Sequence, residues 1–285
     1  MMLNRTRLFD LDLINDHNFD AVISSMMDFS HEYDPLSDKL PLLFTPNVDD
    51  VVKLNEKQYA DLASVLRRSM YCLPDGQPII WVSKLFKGRK LKRRLPGSEL
   101  FPLLWKEVIS KQKRVMLVAP SEQVGELLKK EYPAMVYYVP PFFDVQDEVQ
   151  LKKVQQEAAA IYDSIMPELV FIGIRYPKQN HIALGLIDHH NRTYATPRGK
   201  EEKVGIRSYQ LYGSNSAQPH ALHLLMGASY EFYLGLKNRA PQFWQKIGME
   251  WFYRFTQEPG RLFKRYFIDD LQFFPIVMKE FFKSK

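Results

Sequence analysis

The sequence predicts an α/β protein in which a mostly parallel sheet carries helices on both faces, followed by an amphipathic helical appendage at the carboxyl terminus. Short apolar runs alternate with amphipathic segments of ten or more residues, a pattern typical of strand–helix–strand crossovers. The 285 residues, 46% of them apolar, are enough to enclose a sizeable core. A change in composition near residue 236 predicts two parts, a domain of residues 1–235 and an appendage of residues 236–285.

The first predicted strand and helix lie in the first quarter of the chain. Residues 40–46 (LPLLFTP) form a short apolar run consistent with a buried strand. Residues 47–71 then carry apolar side chains at close to helical spacing. Asn47 is placed as the N-cap of this helical segment, with Asp50 three residues later in a position resembling a capping box.

The same alternation continues along the chain. Further strands are predicted at 114–120 (RVMLVAP), 135–141 (MVYYVPP), 169–174 (LVFIGI) and 221–229 (ALHLLMGAS). Helices are predicted after the first three of these, with Ser121 and Asp144 as N-caps and a third helix from Pro177 to about Asp188. Ligands of such sheets bind outside the carboxyl ends of the strands. The polar residues directly beyond the predicted strand ends are Thr45, Asn47, Arg175, Gln179 and Ser229.

Two segments interrupt or follow this pattern. Residues 189–220 are polar, contain Gly and Pro, and show little periodicity, so they are predicted to form a long loop or an insertion. The last fifty residues hold thirteen of the 38 aromatic residues, and ten Lys or Arg against five Asp or Glu. Such a segment is typical of an amphipathic helical tail that rests on an anionic bilayer; the alternative is an ordinary tail docked on the core.

Charge and cysteine content narrow the functional classes. The net charge of +6 favours an anionic partner, whether nucleic acid, an acidic membrane surface or a phosphorylated small molecule. A single cysteine, Cys72, excludes an internal disulfide and a cysteine-based metal cage, and suits the cytoplasm. The amino-terminal residues do not resemble a signal peptide, and no run approaches the ~18 apolar residues of a spanning helix.

One short stretch combines a turn signal with dense positive charge. Residues 73–81 read LPDGQPIIW, and seven of the eleven residues from Lys84 to Arg94 (KLFKGRKLKRR) are basic. An isolated Asp-Gly pair usually marks only a surface turn. Its meaning here depends on the other segments of the chain.

Six segments together resemble the WecG/TagA/CpsF family of bacterial glycosyltransferases, in the family's order and over most of the chain from about Leu42 to Phe274. They are similar to the family patterns T-x-N-x-x-x-x-V, A/P-D-G-x-x-V/I-W, R-x-x-G-x-D/E-L-F, G-x-P-K-Q-E, K-R-A-P-x-W and G-L-E-W-x-Y-R-x-x-x-E-P-x-R-x-x-R-Y. In this sequence they read TPNVDDVV, LPDGQPIIW, RLPGSELF, IRYPKQN, NRAPQFW and GMEWFYRFTQEPGRLFKRY.

The resemblance implies a Rossmann-like domain with a carboxy-terminal helical appendage that contributes to the active site and to membrane contact. Members of the family transfer an N-acetylmannosamine-type or uronic sugar, with inversion, from a UDP-sugar to an undecaprenyl-diphosphate-linked sugar. They act peripherally at the cytoplasmic face of the membrane, in the synthesis of surface polysaccharides, and they can form homo-oligomers. No D-x-D element is present in a strand–turn context, so no essential metal and no cofactor beyond the UDP-sugar donor are expected.

The resemblance assigns the catalytic base to Asp75 and places Thr45 in the catalytic centre with it. Inverting transfer needs a base for the acceptor hydroxyl and positive charge for the leaving diphosphate. Arg94 matches an arginine that could bind the diphosphate in a bidentate manner. The alternatives are a turn aspartate for Asp75 and a solvated basic residue for Arg94.

The remaining predicted site residues are expected to bind substrate. Asn47 and Gln179 match residues near the substrates, although Asn47 could be only a helix cap and Gln179 only a polar residue of a first helical turn. Arg254, Arg261 and Arg265 match arginines that the appendage brings over the active site; solvent or lipid could equally take them. The spacing of Arg254 and Arg261 places them on one helical face. The seven histidines match no motif and are predicted to be loop residues.

The sequence also departs from the family pattern at positions expected on the donor side. A glycine pair is replaced by Ala119 and Pro120, G-Y-F by residues 141–143 (PFF), and G-G-A-F-D-F by residues 227–232 (GASYEF). Asn180 stands where the family has Glu. Glycines that let a ligand approach closely have thus become bulkier or more rigid residues.

Two other functions compete with a glycosyltransferase. The departures motivate a catalytically silent relative that binds a sugar nucleotide or a lipid-linked glycan as a scaffold in polysaccharide assembly. The basic stretch and the pI of about 9.1 motivate a nucleic-acid-binding protein. The sequence contains no recognisable nucleic-acid-binding module, so no nucleic-acid partner is expected.

Overall fold

The computed structural model of the chain describes residues 3–238, 240–241, 243–244 and 249–283, without the side chains of Arg254 and Arg261. A β-hairpin, β1 (Arg5–Leu8) and β2 (Leu11–Ile14), begins the fold. The strands of the central sheet are β3 (Leu40–Phe44), β4 (Ser69–Cys72), β5 (Val115–Val118), β6 (Val136–Tyr138), β7 (Leu169–Ile172) and β12 (Leu222–Leu225). All their pairings are parallel, in the order β4-β3-β12-β7-β5-β6.

Helices cover both faces of this sheet, as the sequence predicts. They are α1 (Asp20–Met27), α2 (Phe29–Glu32), α3 (Val48–Lys53), α4 (Ala60–Leu66), α5 (Gln77–Ser83), α6 (Gly97–Ser110), α7 (Glu122–Glu131), α8 (Glu148–Ile165), α9 (Lys178–Tyr194) and α10 (Ser229–Tyr233). Successive residues of a strand enter different apolar clusters: Leu42 and Phe44 belong to the cluster with α4, α8 and α9, and Leu43 to the one with α1, α6 and α7. The Rossmann-like α/β prediction is therefore confirmed.

Between α9 and β12 the chain forms two small antiparallel pairs instead of a structureless loop. β9 (Glu202–Val204) pairs with β10 (Arg207–Tyr209), and β8 (Thr196–Pro197) pairs with β11 (Gly213–Ser214). The turn of the first pair lies against the amino-terminal end of α9, because a Cβ on Gly205 would lie 3.3 Å from the His181 ring. Residues 189–194, predicted as part of the loop, continue α9.

The carboxy-terminal segment is helical in its described parts. It contains α11 (Glu250–Gln257), α12 (Pro259–Lys264), a π-helical turn at Arg265–Asp269, a 3₁₀ turn at Asp270–Gln272 and α13 (Phe273–Lys283). None of the described helices combines the length and the apolarity that a bilayer-spanning segment needs. The predicted boundary between residues 235 and 236 stays a prediction.

Two local predictions are wrong. Residues 47–71 do not form a continuous helix, because the chain breaks after α3, makes a 3₁₀ turn at Lys57–Tyr59 and ends in strand β4. The N-cap of α8 is Asp147, whose side chain accepts hydrogen bonds from the Val149 and Gln150 amides. Asp144 instead accepts from the Gln146 amide in the preceding turn.

Candidate functional site

Three chain segments meet at the carboxyl edge of the sheet, beyond the ends of β3 and β12. Thr45 directly follows β3, Ser229 begins α10 after β12, and Gly97 begins α6. A Cβ placed on Gly97 would lie 3.1 Å from the Ser229 Oγ and 3.6 Å from the Thr45 Oγ1. Because Gly97 has no side chain, the two hydroxyl groups can flank the start of α6 at this short distance.

Asp75 lies in the turn between β4 and α5, beside the segment that follows β3. Its backbone N–H donates to the Pro46 carbonyl at 2.9 Å. A Cβ placed on Gly76 would lie 3.4 Å from the Cα of Asn47. The Asp75 side chain is half-buried. Asp75 therefore lies in a turn just after a strand of the sheet, whereas its role as a base stays a prediction.

Arg94 connects this turn to both α6 and the carboxy-terminal segment. Its Nη1 donates to Glu250 Oε2 at 2.9 Å and its Nη2 to Glu99 Oε1 at 3.5 Å. Burial by itself lowers the pKa of Arg94, but the hydrogen bond to Glu250 and the charges of Glu250, Asp75 and Glu99 raise it above its ordinary value. The guanidinium is thus held as a cation, and it lies close enough to the Asp75 carboxylate for the two charges to interact.

Asn47 is a helix cap that also contacts the carboxy-terminal segment, and its role near the substrates stays a prediction. It caps α3. Its side-chain Oδ1 accepts from the Asp50 backbone N–H at 3.3 Å, and its own backbone N–H donates to Asp50 Oδ2 at 3.0 Å. The predicted capping box is confirmed. The Asn47 Oδ1 also accepts from Arg265 Nη2 at 3.4 Å, and this guanidinium lies 3.5 Å from Asp49 Oδ2. Arg265 therefore brings the carboxy-terminal segment over the start of α3.

Two buried acids accompany Arg265 at this contact. Burial raises the pKa of Asp50 to about 6, although its hydrogen bond with the Asn47 backbone and the charges of Lys53 and Arg265 act in the opposite direction. Burial likewise raises the pKa of Asp270 to about 6 against the charge of Arg265. Arg265 Nε and Asp270 Oδ1 are buried without a hydrogen-bond partner among the described residues. The contact between tail and core is therefore polar, charged and incompletely paired.

Gln179 and Asn180 stand in the first turn of α9, at the carboxyl end of β7. The Gln179 Oε1 and both polar side-chain atoms of Asn180 are buried, and within the described part of the chain none of them has a hydrogen-bond partner. Asn180 is only 1% exposed. Three unsatisfied polar atoms at the start of a 17-residue helix are costly for folding alone, which favours a role for them in ligand binding.

The residues that depart from the family pattern also lie together, around the loop after β7. A Cβ on Gly173 would lie 2.8 Å from the Tyr230 ring and 3.0 Å from Pro120 Cδ. Nearby, the Lys178 Nζ lies 4.0 Å from the ring centroid of Phe142, whose side chain is 90% exposed. The altered glycine positions thus form one region beside Gln179 and Asn180.

The sheet edge therefore brings together Thr45, Asn47, Asp75, Arg94 and Arg265, with Gln179 beyond the end of β7, which β12 separates from β3. The side chains of Arg254 and Arg261 lie outside the part of the chain that the structure describes. Their spacing argument is wrong, because the two residues belong to separate helices, α11 and α12. At this edge the Asp75 carboxylate can accept a proton, and the partly buried guanidinium groups of Arg94 and Arg265 can hold a diphosphate.

Glu250 is the functional candidate that sequence reasoning missed. It is 8% exposed, begins α11 and forms the charged hydrogen bond to Arg94. The sequence does contain a signal for this role. Glu250 is the acidic residue of the GMEWFYRF segment and is surrounded there by apolar and aromatic residues. A carboxylate in such a run is expected to have a cationic partner once it is buried.

The prediction that the histidines are loop residues is wrong for several of them. His181, His189 and His190 lie in α9 and His223 lies in β12, and all of these except His189 are buried. Among the described residues, no group of three or more His, Cys, Asp or Glu side chains is arranged to hold a metal ion. Independence from metal stays a prediction.

Comparisons with known proteins identify a family and several relatives that this chain resembles. A model of the glycosyl transferase WecG/TagA/CpsF family matches residues 8–197 and 210–285, leaving 198–209, with the β9–β10 pair, unmatched. An N-acetylglucosaminyldiphosphoundecaprenol N-acetyl-beta-D-mannosaminyltransferase from Bacillus spizizenii is 26% identical over 204 residues, which cover 70% of this chain and 65% of the relative. A protein of the same name from Staphylococcus aureus (strain MRSA252) is 26% identical over 226 residues, 78% of this chain and 72% of the relative. The chain thus matches about two thirds of the length of these relatives.

Proposed function

The chain belongs to the WecG/TagA/CpsF family of glycosyltransferases, and from this premise we propose that it transfers an N-acetylmannosamine-type or uronic sugar, with inversion, from a UDP-sugar to an undecaprenyl-diphosphate-linked glycan. The names of the relatives support N-acetylglucosamine as the acceptor sugar and N-acetylmannosamine as the transferred sugar. The observation that carries the proposal is the position of Asp75 beside Pro46 and Asn47, at the sheet edge where parallel sheets bind their ligands.

In this mechanism Asp75 is the general base. Its carboxylate removes the proton of the acceptor hydroxyl while that oxygen attacks the anomeric carbon. The bond from this carbon to the UDP oxygen breaks, and UDP leaves with the additional negative charge. Arg94 and Arg265 are the cations placed to stabilise that charge, so the transfer needs no metal ion. Thr45 and Asn47 orient the substrates beside the base, and Gln179 binds a sugar.

The proposal includes the place of the reaction. A polyprenyl-linked acceptor is confined to a bilayer, so the enzyme is proposed to act peripherally at the inner face of the cytoplasmic membrane, as a monomer or homo-oligomer. The carboxy-terminal segment supports this, because its exposed aromatic and aliphatic side chains are of the kind that enter a bilayer interface. They include Phe252, Phe263, Phe267, Ile268, Leu271, Phe274 and Phe282.

The test is a sugar-transfer assay on a short-chain polyprenyl-diphosphate N-acetylglucosamine acceptor, with a panel of UDP-sugars that includes UDP-N-acetylmannosamine. Asp75→Asn keeps the size of the side chain and removes the base, so we expect transfer to fall by about 10²–10⁴-fold. Asp34→Asn is the matched control, since Asp34 is an exposed turn aspartate that accepts the Leu36 amide before β3. Equal transfer by the wild type and the Asp75→Asn variant would exclude Asp75 as the base.

One observation favours a second candidate, a catalytically silent scaffold. Pro120 and Tyr230 crowd Gly173 in the region where the family pattern has glycines. If this crowding prevents a productive donor pose, calorimetry would detect UDP-sugar or acceptor binding while no UDP is released with any donor of the panel. Release of UDP together with a sugar-extended acceptor would exclude the scaffold.

A further inference from the structure

The helix that follows Asp75 presents an exposed apolar edge. Trp81 lies in α5 and Leu85 in the turn that directly follows it, with exposed fractions of 43% and 63%. The exposed Lys84 and Lys87 lie within three residues of them. Large apolar side chains are normally kept out of water, so a paired exposure beside lysines calls for a partner.

The last described helix presents a similar face. In α13 the exposed apolar residues follow the spacing i, i+4, i+7 and i+8, which places them on one side of the helix. They are Phe274, Met278, Phe281 and Phe282. The exposed Lys279 and Lys283 accompany them in the same helix.

The two faces adjoin each other. The rings of Phe86 and Phe281 lie 6.2 Å apart between centroids, and Arg89 Nη1 donates to Glu280 Oε1 at 2.7 Å. These contacts fix α13 against the segment that continues α5. We call the combined feature the α5–α13 surface; its members are Trp81, Leu85, Phe274, Met278, Phe281 and Phe282.

We propose that the α5–α13 surface rests on an anionic phospholipid bilayer, so that the sheet domain contacts the membrane directly and not only through its tail. The proposal rests on the proposed function and extends it. The charge pattern selects the occupant. In a symmetric dimer this surface would meet its own copy, and the lysines of both copies would come close together. Anionic headgroups instead attract Lys84, Lys87 and Lys279, while Lys283 lies 3.1 Å from Asp10.

The position of α5 gives this contact a consequence for the reaction. Asp75 precedes α5 by two residues, and Trp81 is the fifth residue of α5, about 6 Å from its start at 1.5 Å per helical residue. A bilayer that contacts Trp81 therefore brings its lipid headgroups to within roughly the length of α5 from the proposed base, Asp75. The diphosphate of a polyprenyl acceptor lies at that level of the membrane, so the contact would present the acceptor to Asp75 without extracting its lipid.

The binding test compares the full-length wild type with the double variant Trp81→Ser/Leu85→Ser in co-sedimentation with phosphatidylglycerol–phosphatidylcholine vesicles. We expect the double variant to bind about tenfold more weakly or worse. Leu36→Ser/Leu103→Ser is the matched control, since both leucines are exposed, by 58% and 49%, and lie elsewhere. Its vesicle binding should equal that of the wild type.

A charge test addresses the choice of lipid. Lys84→Gln/Lys87→Gln should weaken binding to phosphatidylglycerol vesicles about tenfold and leave binding to pure phosphatidylcholine unchanged. Lys152→Gln/Lys153→Gln, in the exposed part of α8, is its control and should bind both as the wild type does. Unchanged binding of both Trp81/Leu85 and Lys84/Lys87 variants would overturn the proposal. So would a dimer that is lost in the Trp81→Ser/Leu85→Ser variant while vesicle binding persists.

Transfer assays separate this inference from the proposed function. With a long-chain acceptor in vesicles, Trp81→Ser/Leu85→Ser should lower transfer about tenfold. With a water-soluble short-chain acceptor, the same variant should stay within about twofold of the wild type. Equal losses in both assays would mean that α5 acts on the chemistry, which contradicts the proposal. If even the wild type fails with the soluble acceptor, the proposed function fails, and the vesicle-binding data still decide the α5–α13 surface.

Discussion

At the scale of single residues, the site is defined by polar atoms whose partners are incomplete within the protein. Asn180 is buried in the first turn of α9. Neither the nitrogen nor the oxygen of its side-chain amide is bonded to a described residue. A buried polar atom without a partner costs about 1–3 kcal/mol. Such a cost persists where the atoms serve a ligand, because stability is then sacrificed for binding.

Replacing Asn180 by leucine tests this interpretation. Asn180→Leu removes two unsatisfied polar atoms and keeps the side-chain size, so we expect the free energy of unfolding to stay equal or to rise by about 1–2 kcal/mol. We expect the KM for the UDP-sugar to increase at the same time, if these atoms bind the donor. Urea denaturation and initial-rate kinetics measure the two quantities.

Asn191→Leu provides the matched comparison within the same helix. Asn191 is equally buried and its Oδ1 also lacks a partner among the described residues, but, unlike Asn180, it has one side-chain hydrogen bond, from its Nδ2 to the Gln210 carbonyl at 3.0 Å. Its replacement leaves that carbonyl unsatisfied and is expected to destabilise the fold by about 1–3 kcal/mol. A loss of stability in Asn180→Leu as large as in Asn191→Leu would show that Asn180 has a structural partner.

The sequence predicted single residues well where a local rule determines them. The capping box of Asn47 and Asp50 follows from neighbours three positions apart, and so does the Ser121 cap of α7. Glu250 could not be placed in the same way, because its partner Arg94 is 156 residues away and only the docking of α11 joins them. The charged centre of the site is a product of tertiary structure.

At the scale of elements, two ion pairs tie the carboxy-terminal helices to the sheet domain. Arg94–Glu250 holds α11 at the candidate site, and Arg89–Glu280 holds α13 beside α5. The N···O distances are similar, 2.9 Å and 2.7 Å, and both glutamates are nearly buried. Only the first pair involves a residue of the site, so the two pairs form a natural comparison.

We expect Glu250→Gln and Glu280→Gln to weaken tail docking to a comparable extent, by about 1–3 kcal/mol, since each removes a buried charged partner. The effects on transfer should differ. Glu250→Gln leaves the guanidinium that is proposed to bind the leaving diphosphate without the carboxylate that orients it, so kcat should fall by at least tenfold, whereas Glu280→Gln should leave kcat with a soluble acceptor within about twofold. Limited proteolysis of the tail and steady-state kinetics measure the two effects.

Glu250→Asp provides the conservative rescue. It keeps the charge on a shorter side chain and should recover part of kcat, which a purely structural role of Glu250 would not require. If Glu250→Gln and Glu280→Gln reduced kcat equally, the role of Glu250 would be limited to docking the tail.

The prediction of helices and strands failed where a helical spacing of apolar residues continues into a strand. The helical spacing from Tyr59 to Leu66 runs without a Gly or Pro break into residues 69–72 (SMYC), so β4 looked like the end of a helix. The pairing of Leu43 with Tyr71 and of Phe44 with Cys72 determines the strand, and this pairing depends on the position of β3. Non-local pairing overrides local propensity at such places.

At the scale of the whole molecule, the other edge of the fold contains a cluster of neutral histidines. His190 accepts or donates at Tyr162 Oη and Ser216 Oγ, both at 3.0 Å, and its ring centroid lies 4.2 Å from that of His220. His223 contacts the Pro41 carbonyl at 3.3 Å. The other titratable groups that face the cluster are Tyr33, Asp163, His189 and Tyr194.

Burial determines the protonation state of these rings. It lowers the pKa of His190 and His223 to about 3 and that of His220 to about 4, with further lowering by neighbouring imidazoles. His181, beside Arg207, is lowered to about 4 for the same reason. The unfolded chain binds these protons near pH 6.5, so the stabilisation is complete above that pH and is lost as the pH falls toward 4.

Asp50 and Asp270 act with the opposite sign. Their pKa values are raised to about 6, so the folded chain holds these protons more tightly, and this contribution is lost as the pH rises from about 4 to 6. Each proton changes stability by about 1.4 kcal/mol per pH unit where it is bound in one state only. Four imidazoles outweigh two carboxyls, so the histidines determine the net slope near pH 5.

We therefore expect the free energy of unfolding to decrease between pH 7 and pH 5, and urea denaturation at several pH values measures it. His220→Asn should reduce the slope by about one proton, because this ring lies at the edge of the cluster and its Nε2 has no partner among the described residues. His17→Asn, at an exposed position, is the matched control. A constant free energy of unfolding over this range would contradict the cluster's role, whereas a slope that persists unchanged in His220→Asn would assign the titration to the other histidines.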